Sequence, residues 1–290
     1  MNIHFHTIKL NYKLICFLLA LLLILPCIFV YSFVVRASYE EGVMVPIVMY
    51  HSVLKDTKRS GKYIITPTTL EEDLQYLVNH GYTTITMSDL ISYVYEDTPL
   101  PEKPIILTFD DGHYNNLGYA VPLLEKYNMK AVISIVGSYT DTFSKTDEAN
   151  LNYSYLRWKD VKQLMDSGTI EFQNHTNNLH ATSNGRMGCS KKSYESNETY
   201  SNLLSNDILT LQKKFEQNTG YMPNTFTYPF GSISKASLPI IKSLGFKASL
   251  SCTSGINYIS KDPDCLYCLK RNNRPSYITS EDFFKKILKY

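Results

Sequence analysis

One stretch constrains this chain more than any other: Ile105-Ile106-Leu107-Thr108-Phe109, an apolar run entered from Pro104 that stops abruptly on Asp110-Asp111-Gly112. The run is short, β-branched at its start and apolar almost throughout, which predicts a parallel strand covered on both faces rather than a helix. Its end predicts a site. Two adjacent carboxylates repel, so a fold that keeps both near its core needs a cation or a proton to settle the charge. Taken alone, Asp-Asp-Gly also reads as an ordinary polar turn, so the rest of the chain has to decide.

Strand and helix signals alternate around this run. Further strands are expected at 43–50, 83–86, 130–136, 169–173, 225–228 and 246–251, with a last one at 266–271. Thr68-Thr69-Leu70-Glu71 reads as a capping box opening a helix whose Leu70, Leu74 and Leu77 share one face and which stops at Gly81. Other helices are expected at 88–95, at 114–127 with Pro122 in a first turn, at 158–165 closed by Gly168, at 203–215, at 234–244 and beyond Ser280. The polar stretch 181–197 reads as a surface loop. Such alternation through short connections implies parallel pairing with right-handed crossovers, hence an α/β fold with one barrel-like sheet. His51, Asp110, Asp111, His175 and Phe230 all fall just past the carboxyl ends of expected strands. In a barrel those ends gather at one mouth, where active sites are built.

Asp111, His175 and His180 supply one carboxylate and two imidazoles, a set that suits zinc or another divalent first-row ion and leaves positions open for water and substrate. His175 and His180 stand five positions apart, which would turn the rings apart on a regular helix. The pair therefore needs a loop, and Asn177-Asn178 between them agrees.

Thr108-Phe109-Asp110-Asp111-Gly112 followed by paired histidines resembles the polysaccharide deacetylase family, also called the NodB-homology domain or carbohydrate esterase family 4. The resemblance covers roughly residue 45 to the end and implies a distorted (β/α) barrel that removes acetyl groups from N-acetylated sugars or, in some members, from O-acetylated xylan. It assigns Asp110 as general base and Asp111, His175 and His180 as ligands of a divalent metal, zinc first, with cobalt, nickel or manganese as substitutes. It implies an oxyanion donor in the backbone N–H of Phe230.

The chain also departs from the common family pattern. Its histidines are five apart instead of four, as in the circularly permuted branch of poly-N-acetylglucosamine deacetylases. Thr227 stands where the common third motif, here Thr227-Tyr228-Pro229-Phe230-Gly231, carries an arginine. No histidine follows His180, so the usual C-terminal general acid is missing. The Met49-Tyr50-His51-Ser52-Val53 string resembles the start of the permuted branch and offers His51 as that acid, carried from the end of the barrel to its beginning. Arg271 or Arg274 is the candidate to replace the arginine beside Asp110.

The stretch 14–35 carries no charge, is broken by Pro26, and is flanked by Lys9 and Lys13 before and Arg36, Glu40 and Glu41 after. It is long enough to span a bilayer, although Arg36-Ala37-Ser38 leaves cleavage open. The expected organisation is a short cytoplasmic tail (1–13), a transmembrane signal anchor (14–35), a juxtamembrane linker (36–44) and a deacetylase domain (45–290), single-pass in the cell membrane with the catalytic domain outside. A net charge of +2 with mixed signs excludes a nucleic-acid footprint. Cys189, Cys252, Cys265 and Cys268 permit disulfides or plain thiols, and a lone Cys265-x-x-Cys268 without a nearby histidine argues against a zinc knuckle. The expected substrate is an N-acetylated cell-envelope polysaccharide, peptidoglycan or poly-N-acetylglucosamine. An acetyl-xylan-type O-deacetylase and a catalytically impaired glycan-binding member are the alternatives.

Overall fold

The apolar run forms the strand Pro104–Asp111, buried along its whole length until its last residue. The computed structural model describes residues 20–26, 42–183 and 185–288. It divides the chain into units 1–42 and 43–290. In the first unit residues 20–26 are helical and exposed. The expected anchor, 14–35, lies mostly outside the described residues, and among these no helix is long and apolar enough to cross a membrane.

In the second unit one sheet carries, in chain order, β1 (Ile47–Tyr50), β2 (Thr83–Thr84), β3 (Pro104–Asp111), β4 (Ala131–Ile135), β5 (Ile170–Asn174), β6 (Thr225–Thr227), β7 (Ala248–Leu250) and β8 (Asn272–Asn273). Its spatial order is β7-β6-β5-β4-β3-β1-β8, with β2 against the start of β3. Every pairing in this sheet is parallel. The strand order makes an α/β half-barrel, and the segment 269–274 reaches both of its ends. Leu269 exchanges backbone hydrogen bonds with Ser249 and Ser251 beside β7, while Asn272 pairs with Val48 and the Arg274 N–H donates to Met49 on β1.

Alternation along β3 decides what faces where. Ile105, Leu107 and Phe109 pack outward with Leu70, Leu74 and Leu77 of the helix Pro67–Asn79 and with Val161 and Leu164 of the helix Trp158–Ser167. Ile106 packs on the other side with Ile47, Val132, Ala248 and Leu250. Thr108 and Asp110 share the parity of Ile106. The carboxylate that ends this inner row therefore lies within the barrel, not on its surface.

Several boundaries differ from expectation for local reasons. The first helix is capped by Thr66, whose hydroxyl accepts from Thr69 N–H, with Pro67 in the first turn. The proline fits there because its missing donor would be unsatisfied anyway. The terminal helix is capped by Thr279 instead of Ser280. Residues 43–50 form two strands, and Val43–Val45 leaves the main sheet to pair antiparallel with Asn257–Ile259. The helix Gly137–Thr146, with only Gly137 and Thr140 buried, lacks the apolar stripe that would have announced it. Stretch 181–197 is not only loop, since Thr182–Ser183 and Arg186–Met187 pair as a small hairpin. The last strand is Asn272–Asn273, just beyond the expected 266–271, because the chain there meets β7 first and β1 second.

Candidate active site

β3 delivers two carboxylates to different surroundings. Asp110 is buried and receives Arg271, which is fully buried: Nη1 donates to Oδ1 at 2.7 Å and Nη2 to Oδ2 at 2.8 Å. The guanidinium is oriented in turn, its Nε donating to the Ser251 carbonyl and its Nη1 to Thr108 Oγ1. Burial pushes the Asp110 carboxyl upward, but Arg271 and His175 outweigh it and hold the group below its ordinary value. Arg271 thus stands beside Asp110 in place of an arginine at position 227. Arg274 is occupied elsewhere, with Nε on both oxygens of buried Asp73, whose Oδ2 also accepts from the Tyr50 hydroxyl.

Asp111 turns away from the strand. Its φ of 72° and the 75° of Gly112 are both left-handed, a conformation that costs an aspartate energy and persists where surroundings enforce it. Gly112 is required twice, because a Cβ there would come within 2.8 Å of Ile135 Cγ2. The turn carries Asp111 Oδ1 to 3.1 Å from His180 Nε2 and 3.6 Å from His175 Nε2, while Oδ2 lies 3.5 Å from His113 Nε2.

The five-residue histidine spacing has a structural cause. His175 follows β5, and Thr176 adopts a left-handed φ of 73°. The next two amides, of Asn177 and Asn178, donate to the Asp207 carboxylate on the helix Asn197–Thr219. This anchored loop swings His180 back beside His175, their ring centroids 5.0 Å apart. His175 Nδ1 lies 2.8 Å from the Thr227 carbonyl, which can only accept, so Nδ1 carries a proton and Nε2 is the nitrogen that faces Asp111. Tyr139 donates its hydroxyl to the His180 carbonyl at 3.0 Å.

Ligand atoms of Asp111, His175 and His180 all lie within 4.8 Å of one another. Asp111 Oδ1, at their centre, is buried without a hydrogen-bond partner among the described residues. An orphaned carboxylate oxygen facing two imidazole nitrogens is a costly arrangement for a protein alone and a fitting one for a divalent cation.

His51 follows β1, whose Tyr50 is in register with Phe109, so it lies beside the end of β3. Among the described residues its buried Nδ1 has no hydrogen-bond partner, and its ring packs edge-on to Tyr63 at 4.8 Å. Burial lowers its pKa, and Asp110 and Asp111 pull it partly back. Phe230 has a left-handed φ of 57°, is 44% exposed and tilts its ring over His180 at 4.4 Å. His51, Asp110, Asp111, His175, His180 and Phe230 all line one cavity of about 760 Å³. Sequence reasoning passed over His113, one residue past the Asp-Asp-Gly signal, and Tyr155, on which His113 stacks at 4.8 Å. Adjacency to Gly112 was the available signal for His113, and Tyr155 had none. The four cysteines of the second unit are free thiols, and Cys252 lines the cavity.

The sequence pattern of the polysaccharide deacetylase family matches residues 97–249. The chain belongs to this family. His51 and Arg271 lie outside the matched span and reach the family's site from either side of it. Among relatives, a poly-β-1,6-N-acetyl-D-glucosamine N-deacetylase of Escherichia coli K12 is 23% identical over 227 residues, 72% of this chain and 34% of that protein. The chain thus spans about a third of that relative's length. The Staphylococcus aureus enzyme of the same name is 22% identical over 233 residues, 80% of this chain and 73% of that one. Among solved structures, a de-N-acetylase from Aggregatibacter actinomycetemcomitans superposes with a TM-score of 0.70 at 25% identity, covering 83% of this chain and all of that one. A Streptococcus pyogenes deacetylase solved with acetate gives 0.69 at 20% identity, covering 85% and 99%. The latter likeness shows the shared deacetylase fold.

Proposed function

We propose that this chain hydrolyses the acetamide of N-acetylglucosamine units in a cell-envelope polysaccharide, poly-N-acetylglucosamine or peptidoglycan, releasing acetate and leaving a free amine. The observation that carries this reading is the meeting, in one cavity, of an arginine-clamped carboxylate, an Asp-His-His donor set and a separate buried histidine. The N-deacetylase names of the relatives agree with it.

Asp111, His175 and His180 would hold a divalent ion, zinc first, with cobalt, nickel or manganese as substitutes. When bound, that ion supplies Lewis-acid polarisation and a lowered pKa for water. Asp110, kept ionised by Arg271, accepts the proton of the water that attacks the acetyl carbon. The Phe230 N–H, fixed by the left-handed turn, donates to the oxygen on which negative charge develops. His51 passes a proton to the departing sugar amine, a poor leaving group without it. A catalytically impaired glycan binder was suggested by Thr227 and by the absence of a histidine after His180. Arg271 and His51 supply the same chemistry at the same mouth and favour an enzyme.

The uncharged stretch 14–35 supports single-pass anchoring with the catalytic domain outside the cell. Alkaline-carbonate extraction and protease accessibility of intact cells test that placement. Acetate release tests the activity: N-acetylglucosamine polymers should yield acetate faster than O-acetylated xylan, and the reverse order would favour the esterase alternative.

A further inference from the structure

The cavity has an uneven charge inventory. Among the described residues its only acids are Asp110, taken up by Arg271, and Asp111, set among three histidines. Arg59 and Lys62 line the same cavity, and among the described residues neither is paired with a carboxylate. Both are exposed. Arg59 donates from Nη1 to the Asn152 carbonyl at 3.0 Å, and the Lys62 ammonium sits 4.9 Å from the centre of the Tyr63 ring, the ring that packs against His51.

These cations stand on a built rim. Asn273 Nδ2 donates to the Lys62 carbonyl at 2.7 Å, Ser276 N–H to the Gly61 carbonyl and Ser52 N–H to the Tyr63 carbonyl. The rim is thereby tied both to the chain beyond Arg271 and to the residue after His51. Glu148 is engaged by the hydroxyl of Tyr153, another lining residue. A concave site with unpaired charge of one sign focuses its field on whatever enters.

We infer that Arg59 and Lys62 form a subsite for an anionic group, carboxylate or phosphate, carried by a sugar next to the N-acetylglucosamine being hydrolysed, so that the preferred substrate is an acidic glycan. The inference rests on the deacetylase reading and narrows its substrate. Its converse follows from the same charges: a neighbouring sugar that has already lost its acetyl group carries an ammonium and is disfavoured, which spaces successive deacetylations.

Calorimetric binding to the metal-loaded full chain tests this without depending on turnover. Three oligosaccharides of equal length are compared: one of N-acetylglucosamine alone, one alternating it with a lactyl-carboxylate sugar, and one carrying a sugar phosphate. Each is measured at two salt concentrations with the natural chain and with an Arg59→Gln/Lys62→Gln variant, whose exposed substitutions should leave the melting temperature unchanged. An acidic oligosaccharide should bind roughly tenfold tighter than the neutral one, less so at high salt, and the variant should lose that preference. The carboxylate and phosphate arms separate the two sources of charge. Equal affinity for neutral and acidic ligands, or a preference that survives in the variant, overturns the subsite. Acetate release is followed in parallel. Release without acidic preference defeats this inference alone, whereas acidic preference with no release from any glycan upholds the subsite and defeats the deacetylase reading.

Discussion

Arg271 grips Asp110 across 161 residues of sequence, its two terminal nitrogens donating one to each carboxylate oxygen with neither side chain meaningfully exposed. The planar fork matches the carboxylate in a way that a lysine, a point charge, does not. Arg271→Lys should therefore keep the fold yet lower acetate release roughly a hundredfold through misplacement of the base. Arg271→Met leaves a buried carboxylate unpaired and should cost about 3–5 kcal/mol in urea unfolding. Near-normal turnover by the lysine variant would remove the positioning role.

The same pair gives a pH signature. Because Asp110 is held below its ordinary value in the folded chain, its contribution to stability is present above about pH 4 and is lost as the pH falls through the depressed value. In metal-free protein, the stability difference between the natural chain and Asp110→Asn should be largest near neutrality and shrink in acid. A difference independent of pH would contradict the assignment.

The donor set predicts a thermal response. With zinc at about 100 times its dissociation constant, binding to the folded state alone adds about 2.7 kcal/mol, a rise in melting temperature of roughly 5–10 °C for a domain of this size. Asp111→Asn should abolish the shift while leaving the metal-free melting temperature near its original value. An undiminished shift in that variant would place the ion elsewhere.

His51 separates turnover from binding. His51→Gln should reduce kcat by roughly 10²–10⁴-fold with oligosaccharide affinity unchanged. A loss confined to KM would make the residue a substrate contact, not the acid.

The architecture was legible where burial and period agreed. The β3 run, with apolar residues on both faces, read as an interior strand, and its two terminal acids marked the mouth of the barrel only together with His51, His175 and Phe230 at the ends of other strands. His175 and His180 were legible as a pair, but the loop that joins them depends on Asp207 more than 25 residues away, which no local pattern records. Arg271 and Arg274 were indistinguishable in sequence, three positions apart in one polar stretch. Only the path of the chain, past β7 and then along β1, sends the first to Asp110 and the second to Asp73. His113 and Tyr155 matter through stacking between segments 42 residues apart, and the helix Gly137–Thr146 was hidden because it buries too little apolar surface to leave a stripe. The shift of the first helix cap to Thr66 shows two nearby threonines competing for one role, decided by the proline between them.

Acetate released from purified poly-N-acetylglucosamine and from peptidoglycan, measured with and without a chelator, tests the central claim most directly. The account predicts release from at least one of these polymers that stops when the chelator is added and returns on addition of excess zinc or cobalt. Release that continues undiminished in chelator, or none from either polymer with the metal supplied, would contradict it.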